Sequence, residues 1–492
     1  MNIKKSPGKD GTGAKGFHEF RDKLVNEGRL KISRNAKLTK NKTVNRSYSD
    51  KPNVLWIMCD QLRADTLGFA GHPFVKTPNM DRIANEGAAF NRSYCSSPVC
   101  MPSRATFLTG QYCNTHGVIQ NEIDLKNPDA ILLTDILKNA GYRTANIGKT
   151  HCGRNPNDAF EWHENVNDAF GATAPSLVPF NKTNFSDGVM IGNIETNDPN
   201  KLLYATYPAG EEITKSYLLA TQAEKWLYWN DDPRPFFLRV SFDDPHSPIV
   251  PPEPYASMYK PEDIPEDLLT ACNLESMMNK PKVVQDFWRY CDYDKITEKE
   301  HRKHAAMYLG FVTHVDAQIG RILDYLDEVG YTDNTIVILN SDHGHMIGEH
   351  NLAVKGTMLF EGVTRIPTAI KYPNIIKPNT KVDAIVEGVD FAPTILDMLG
   401  GDIPNDMQGE SMFPLAKGEE CKEKEYAFIQ WDDYGYAIVG KKWKLIYWDC
   451  DNDGELYDLE NDKYEINNLF NKEEYKEIQH KLLNKLNEWR KV

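Results

Sequence analysis

Three short apolar runs, each ending in acidic or histidine side chains, constrain this fold more than any other feature. They are NVLWIMCD (53–60), PFFLRVSFDDPH (235–246) and TIVILNSDHG (335–344). Each is short enough for a strand and too uniformly apolar to leave one face in water, which predicts strands buried on both faces. ILLTDILKNAGYRTANIGK (131–149) reads as a helix, a stop at Gly141 and a further strand. TPNMDRIANEG (77–87) reads as a helix closed by Gly87, and HAAMYLGFVTHVDAQIGRILDYLDEVG (304–330) as a long one. Strands alternating with helices predict an α/β fold: a large, mixed, mostly parallel sheet flanked by helices. Ligands of such sheets sit beyond the C-terminal strand ends. Asp60, His246, Asp342 and His343 all follow predicted strands, so one sheet would gather them at one edge.

At 492 residues the chain exceeds one small core, and two domains are expected. A charged break, AKGEECKEKE (416–425), divides a main α/β domain over 51–415 from a small C-terminal α+β subdomain over 416–492. In the latter, YAFIQW and YAIVGKKWKLIYW read as antiparallel strands turning at GKK. Ile478, Leu482, Leu486 and Trp489 share one helix face. Residues 1–50 read as a basic arm. They carry 13 Lys and Arg against 5 Asp and Glu, so of a net charge of −14 the arm contributes +8 and the remainder −22. GTGAKG (11–16) has dinucleotide-loop spacing, but no strand precedes it. The acidic body argues against nucleic acid, and an anionic substrate would need a local cluster of positive charge. The longest apolar run, Val54–Cys59, is far below a membrane span of about 18 residues, and the N-terminus lacks the apolar core of a secretory signal. Nine irregularly spaced cysteines do not suggest a disulfide framework. A cytoplasmic location without membrane attachment is the expectation, and a homo-oligomer is left open.

CMPSRATFLTG (100–110) reads as a helix start at Pro102 and Ser103 and a stop at Gly110. Cys100 has no C-x-x-C partner and would sit at the helix N-terminus, where backbone N–H groups favour an anion. Cys100-Met101-Pro102-Ser103-Arg104 followed by Leu108-Thr109-Gly110 resembles the signature C-x-P-S-R-x-x-x-L-T-G of the sulfatase family, in the alkaline phosphatase superfamily. TPNMDRIANEG, IGKTH, DDPHSPIVPP, SDHGHMIGEH, FEGVTRIP and ELYDLENDKYEINNL extend the resemblance, in family order, from about Lys51 to the C-terminus. The resemblance implies hydrolysis of a saccharide or small-molecule sulfate ester. It also implies that a maturation enzyme oxidises Cys100 to formylglycine, whose hydrate is a gem-diol.

The same resemblance implies Asp60, Gln61, Asp342, His343 and the modified Cys100 as ligands of one divalent metal. Many sulfatases carry a second aspartate where Gln61 stands, so this set has one negative charge fewer. Oxygen-rich ligation favours Ca²⁺ or Mg²⁺, and the nitrogen of His343 admits Mn²⁺. Arg104 is implied to fix the formylglycine and Lys149 to bind sulfate. His151 is implied to hold a diol hydroxyl and act as base, and His246 to face the leaving oxygen. Lys355 is implied as a further cation of the site, and Asn121 as a donor to sulfate. Other histidines receive plainer readings: His345 and His350 as supporting or surface groups, His301 and His304 as a solvated helix face, His72 and His116 as structural or rim residues. Trp431, Asp432, Asp433, Tyr434 and Tyr436 read equally as a substrate rim or a packed strand edge. Two alternatives compete with the sulfatase reading. One is a phosphonate monoester or phosphodiester hydrolase of the same superfamily. The other is an unmatured, metal-containing binding protein.

Overall fold

Strand β1 (Asn53–Cys59) shows why the chain folds as it does: all seven of its residues are buried, and their side chains alternate between two cores. Leu55, Ile57 and Cys59 enter one core, and Val54, Trp56 and Met58 the other. Each large apolar side chain so buried contributes about 1.5–3 kcal/mol of transfer free energy. The computed structural model describes residues 51–165, 188–190, 202–270, 277–356 and 358–491. The basic segment 1–50 lies outside them.

β1 is the centre of an eight-stranded sheet with β2 (Ala88–Tyr94), β3 (Arg143–Gly148), β4 (Trp162–Glu164), β5 (Phe236–Ser241), β6 (Thr335–Ser341), β7 (Thr368–Lys371) and β8 (Thr380–Glu387). The spatial order is β8-β2-β7-β6-β1-β5-β3-β4. All pairings are parallel except those of β7, which runs antiparallel to both β2 and β6. The sheet is therefore mixed and mostly parallel, as the alternation of strands and helices predicts.

Helices cover both faces. α1 (Pro78–Asn85), α3 (Lys215–Trp229) and the long α4 (Glu298–Glu328) pack on the side of Leu55 and Ile57. α2 (Cys100–Thr109) and α5 (Phe391–Met398) pack on the side of Trp56, where Phe107 and Phe391 meet its indole at 6.0 Å. Thr297 and Glu300 cap α4 reciprocally.

Beyond a short helix, Phe413–Lys417, which runs across the expected boundary, β9 (Ala427–Trp431), β10 (Gly435–Val439), β11 (Trp443–Trp448) and β12 (Asp453–Asp458) form an antiparallel sheet. One face, with Ile438, Leu445 and Leu456, packs on α6 (Lys476–Trp489) through Leu482, Leu486 and Trp489. Gln479 is also buried there, while Ile478 is only partly covered. The other face, including Ile429, Ile446 and Trp448, joins the core of the large sheet. Among the described residues no helix is long and apolar enough to cross a membrane, and eight cysteines are free thiols.

Candidate active site

The parallel strands end together, and their polar caps converge. Asp60 follows β1, Asp342 and His343 follow β6, Lys149 follows β3, and His246 lies in the loop after β5. One ligand atom each from Asp60, Cys100, Asp342 and His343 fits within a span of 4.8 Å. All four residues are buried.

α2 reaches this cluster because its N-terminus points into it. Gly110 closes the helix in the left-handed conformation at φ 65°, as expected. Its start differs from expectation. Ser103 does not cap the helix but donates to the Asp342 carbonyl at 2.6 Å. Instead the exposed Asn121, twenty residues on, accepts from Met101 N at 3.1 Å. Ser103 thus ties the helix to β6, and a distant loop supplies the cap.

Arg104 is wholly buried and spans the two carboxylates: Nε to Asp342 at 2.7 Å and Nη2 to Asp60 at 3.2 Å. Nη1 donates to Ser241 Oγ at 2.7 Å. Such multidentate pairing is strong and geometrically specific. Lys149 donates to Asp60 Oδ2 at 2.5 Å. Lys355 stands 2.7 Å from Cys100 Sγ, 2.8 Å from His343 Nε2 and 3.2 Å from His246 Nε2. His343 Nδ1 lies 2.9 Å from the Gly344 carbonyl, which places the proton on Nδ1 and leaves Nε2 as a lone pair facing the cluster. His246 Nδ1 is 2.5 Å from the Ser247 carbonyl, so Nε2 again faces inward.

These charges set protonation states. Burial pushes the Cys100 thiol up, but Lys149, Lys355, His343 and His151 together hold it well below the ordinary thiol range. Burial and the Cys100 sulfur disfavour ionised Asp60, yet Lys149, His246 and Lys355 keep it a carboxylate. Burial opposes the charge on Lys149, and Asp60 and Cys100 restore it. The depth of these groups is graded. Lys149, Lys355 and His246 retain 19%, 15% and 31% side-chain exposure, while the carboxylates beneath are at 0%. A ligand would therefore meet the two ammonium groups and the imidazole first.

Three non-glycine residues here sit at positive φ: Gln61 at 66°, His151 at 44° and Val354 at 69°. A β-branched residue there is a true outlier, and Val354 directly precedes Lys355. Local strain of about 1–3 kcal/mol at each is held by surrounding structure. The cation-site fit rests on Gln61. Its Oε1 is buried without a hydrogen-bond partner among the described residues. The hard oxygens of Asp60 and Asp342 and the unprotonated Nε2 of His343 form a donor set suited to a divalent cation, and Gln61 adjoins it, its backbone N–H donating to Asp342 Oδ1 at 3.1 Å.

Several residues near the site were not legible as such in the sequence. Arg239, a charged residue inside a buried strand, donates from Nε to Asn146 at 2.7 Å and from Nη2 to the Thr150 carbonyl at 3.3 Å, fastening the turn that carries Lys149 and His151. Burial lowers its pKa to about 9. Its signal was the interruption of an apolar run; Ser241 and Ser247 had none. His301 and His304 correct the reading of a solvated face, because both are buried against the loop that follows β6. His345 and His350 are likewise fully buried, not surface groups. His116 is buried against Thr106 at 3.0 Å. Asp432, at the β9–β10 turn, accepts from Gln120 Nε2 at 2.9 Å, which joins that turn to the loop carrying Asn121.

Two family models match this chain. One described as Sulfatase covers residues 52–401, and one described as N-sulphoglucosamine sulphohydrolase, C-terminal, covers 348–492. An arylsulfatase of Clostridium perfringens is 34% identical over 448 residues, 87% of this chain and 92% of that protein. An N-acetylglucosamine-6-O-sulfatase of Bacteroides thetaiotaomicron is 30% identical over 497 residues, 90% of this chain and 86% of that protein. A crystal structure of a phosphonate monoester hydrolase of Agrobacterium radiobacter superposes with a TM-score of 0.77 at 25% identity, covering 89% of this chain and 95% of that one.

Proposed function

The chain belongs to the sulfatase family and is a sulfuric ester hydrolase, and on that premise we propose that it cleaves a saccharide or small-molecule sulfate monoester through formylglycine made from Cys100. The observation that carries this reading is the placement of the Cys100 sulfur, 2.7 Å from Lys355 Nζ and 3.4 Å from His343 Nε2, above two buried carboxylates. The sulfur stands where the oxygen of a hydrated aldehyde would stand. A second, hydrolytic reading, of phosphonate or phosphodiester substrates, is favoured by the likeness to the phosphonate monoester hydrolase.

Asp60, Gln61, Asp342 and His343 would hold one divalent cation, Ca²⁺ in the first instance and Mg²⁺ or Mn²⁺ otherwise, which lowers the pKa of a neighbouring hydroxyl and offsets ester charge. Arg104 bridges both carboxylates and fixes their separation. Lys149 and Lys355 donate to the sulfuryl oxygens, with Asn121 a further donor at the helix mouth. The position-100 hydroxyl, its own proton lost before attack, would take up sulfur as the ester S–O bond breaks, and His246, carrying a second proton on Nε2 beside the Nδ1–H held by the Ser247 carbonyl, would pass that Nε2 proton to the departing alcohol. His151 then removes the proton of the remaining diol hydroxyl. Formylglycine at position 100 would supply the hydroxyl that takes up the sulfuryl group and the C–O bond whose cleavage frees sulfate. The expectations of a cytoplasmic location, a maturation enzyme and division at 415/416 belong to the same proposal.

The test uses matched esters of one alcohol, sulfate against phosphate, phosphonate and phosphodiester, on enzyme of measured formylglycine content. A higher kcat/KM for sulfate is expected. Faster phosphonate or phosphodiester turnover overturns it in favour of the second reading, and full activity with a thiol at position 100 removes the covalent role.

A further inference from the structure

Gln61 faces a choice that a carboxylate would not. Its carboxamide has oxygen and nitrogen ends of nearly equal size, and only the oxygen can ligate a cation. The contacts around it decide between the two. Nε2 meets His345 Nδ1 on one side and donates to Ser247 Oγ at 3.3 Å on the other, which uses both amide hydrogens. Oε1 is left buried without a partner among the described residues.

This arrangement requires one proton order in His345. A ring nitrogen that accepts from Gln61 carries no hydrogen, so the proton of the neutral imidazole is on Nε2. Nε2 lies 3.2 Å from His304 Nε2, which must therefore be the accepting nitrogen of its own ring. Both rings are wholly buried. Tyr308, one turn beyond His304 on α4, stacks on the His345 ring at 4.7 Å and 10°, and its hydroxyl donates to the Gln61 carbonyl at 2.7 Å. The left-handed backbone at Gln61 is thus held from the same helix that holds the ring beside its side chain.

We infer that His345, backed by His304 and Tyr308, is a positioning residue that locks the Gln61 carboxamide with its oxygen turned toward Asp60, Asp342 and His343. The inference rests on reading that cluster as a divalent-cation site. In the opposite tautomer His345 would set an N–H against the amide N–H₂. Turning the carboxamide over would relieve this clash and aim its hydrogens at the cation. A carboxylate, with two equivalent oxygens, needs no such lock.

The test titrates Ca²⁺ calorimetrically into the full chain freed of metal. His345→Asn places an amide oxygen where Nδ1 stands and keeps an acceptor for Gln61; His345→Gln places its amide where Nε2 stands and removes that acceptor. Affinity within about threefold of the parent is expected for His345→Asn, and a loss of about 10–100-fold for His345→Gln. Equal affinities in the two variants, high or low, overturn the lock. Nitrogen-15 NMR of the histidine-labelled parent chain decides independently of whether the variants fold: unprotonated Nδ1 at His345 is expected, and a proton there overturns it. Asp342→Asn separates the two readings. If it binds Ca²⁺ like the parent, the cation site itself is refuted. If it loses Ca²⁺ while the two His345 variants match each other, only the lock is refuted.

Discussion

At the strand ends, Arg104, Lys149 and Lys355 gather with Asp60 and Asp342 around the Cys100 sulfur. At the seam between the two sheets, Lys280 and Lys444 gather with Glu361, Glu455 and Glu465. Both clusters bury charge, yet they are built differently. Lys444 meets Glu465 at 2.9 Å, Glu361 at 3.1 Å and Thr364 at 3.2 Å, and nothing of its side chain is exposed. Lys280 donates to Tyr457 Oη at 2.5 Å and to the Glu465 carbonyl at 3.0 Å, and lies over the Phe360 and Tyr457 rings. Apart from Glu455 Oε2 and Glu465 Oε1, the latter still facing Lys444 at 2.9 Å as an ion pair, the seam spends its polar capacity on itself. The strand-end cluster does not. Lys149 and Lys355 reach the surface, Gln61 Oε1 and His151 Nδ1 lack partners among the described residues, and its backbone is strained at three positions. Buried charge alone therefore does not mark a site; buried charge with unused capacity and strain does.

Substitutions can break or sharpen this contrast, and turnover should fall most where capacity is unused. Cys100→Ala should lower kcat by about 10⁴–10⁶-fold while leaving the melting temperature near that of the parent. Sulfate release and thermal unfolding check this, and an active, folded Ala variant would remove Cys100 from the chemistry.

His246→Ala should cost about 10²–10⁴-fold on alkyl sulfates and distinctly less on aryl sulfates with good leaving groups. Equal losses across a leaving-group series would end its role as proton donor.

In the seam the pattern should invert. Lys444→Met leaves buried carboxylates unpaired and should destabilise by about 3–5 kcal/mol while kcat of the folded fraction changes little. Urea unfolding alongside initial rates would show it, and a selective loss of kcat would join the seam to the site.

The smallest effect concerns pH. Burial raises Glu465 to about 7 against the opposing pull of Lys444, with Glu361 adding to the rise. Its folded pKa lies above its ordinary 4.5, so the folded state holds the proton more tightly, and stability falls as pH rises from about 4.5 through about 7. Glu465→Gln should flatten that slope by about 1–3 kcal/mol across the window, with kcat unaffected. An unchanged slope would place the proton elsewhere.

The strand-end cluster was far more legible in the sequence than the seam. Asp60, Asp342 and His343 announce themselves because a buried apolar run that stops at a carboxylate must end at a sheet edge. The CMPSR stretch is a contiguous motif on one helix. The seam draws Lys280, Glu361, Lys444 and Glu465 from four distant stretches, each ordinary on its own. His301 and His304 misled for the opposite reason: their spacing is that of an exposed polar face, and only the packing of α4 against the loop after β6 buries them.

The order of residues by itself determined the mixed, mostly parallel sheet and the helix that carries Cys100 and Arg104, which follow from periodicity, strand ends and a local motif, while the cationic groups were named there only through the resemblance to the sulfatase family. The tertiary structure alone decided which polar atoms were left over. That Asn121 caps a helix twenty residues away, that Arg239 pins the Lys149 turn, and that His345 consumes one end of Gln61 and frees the other are all consequences of contacts between distant segments. Hydrogen-bond capacity is settled only when every neighbour is in place, and the leftover is what a ligand sees.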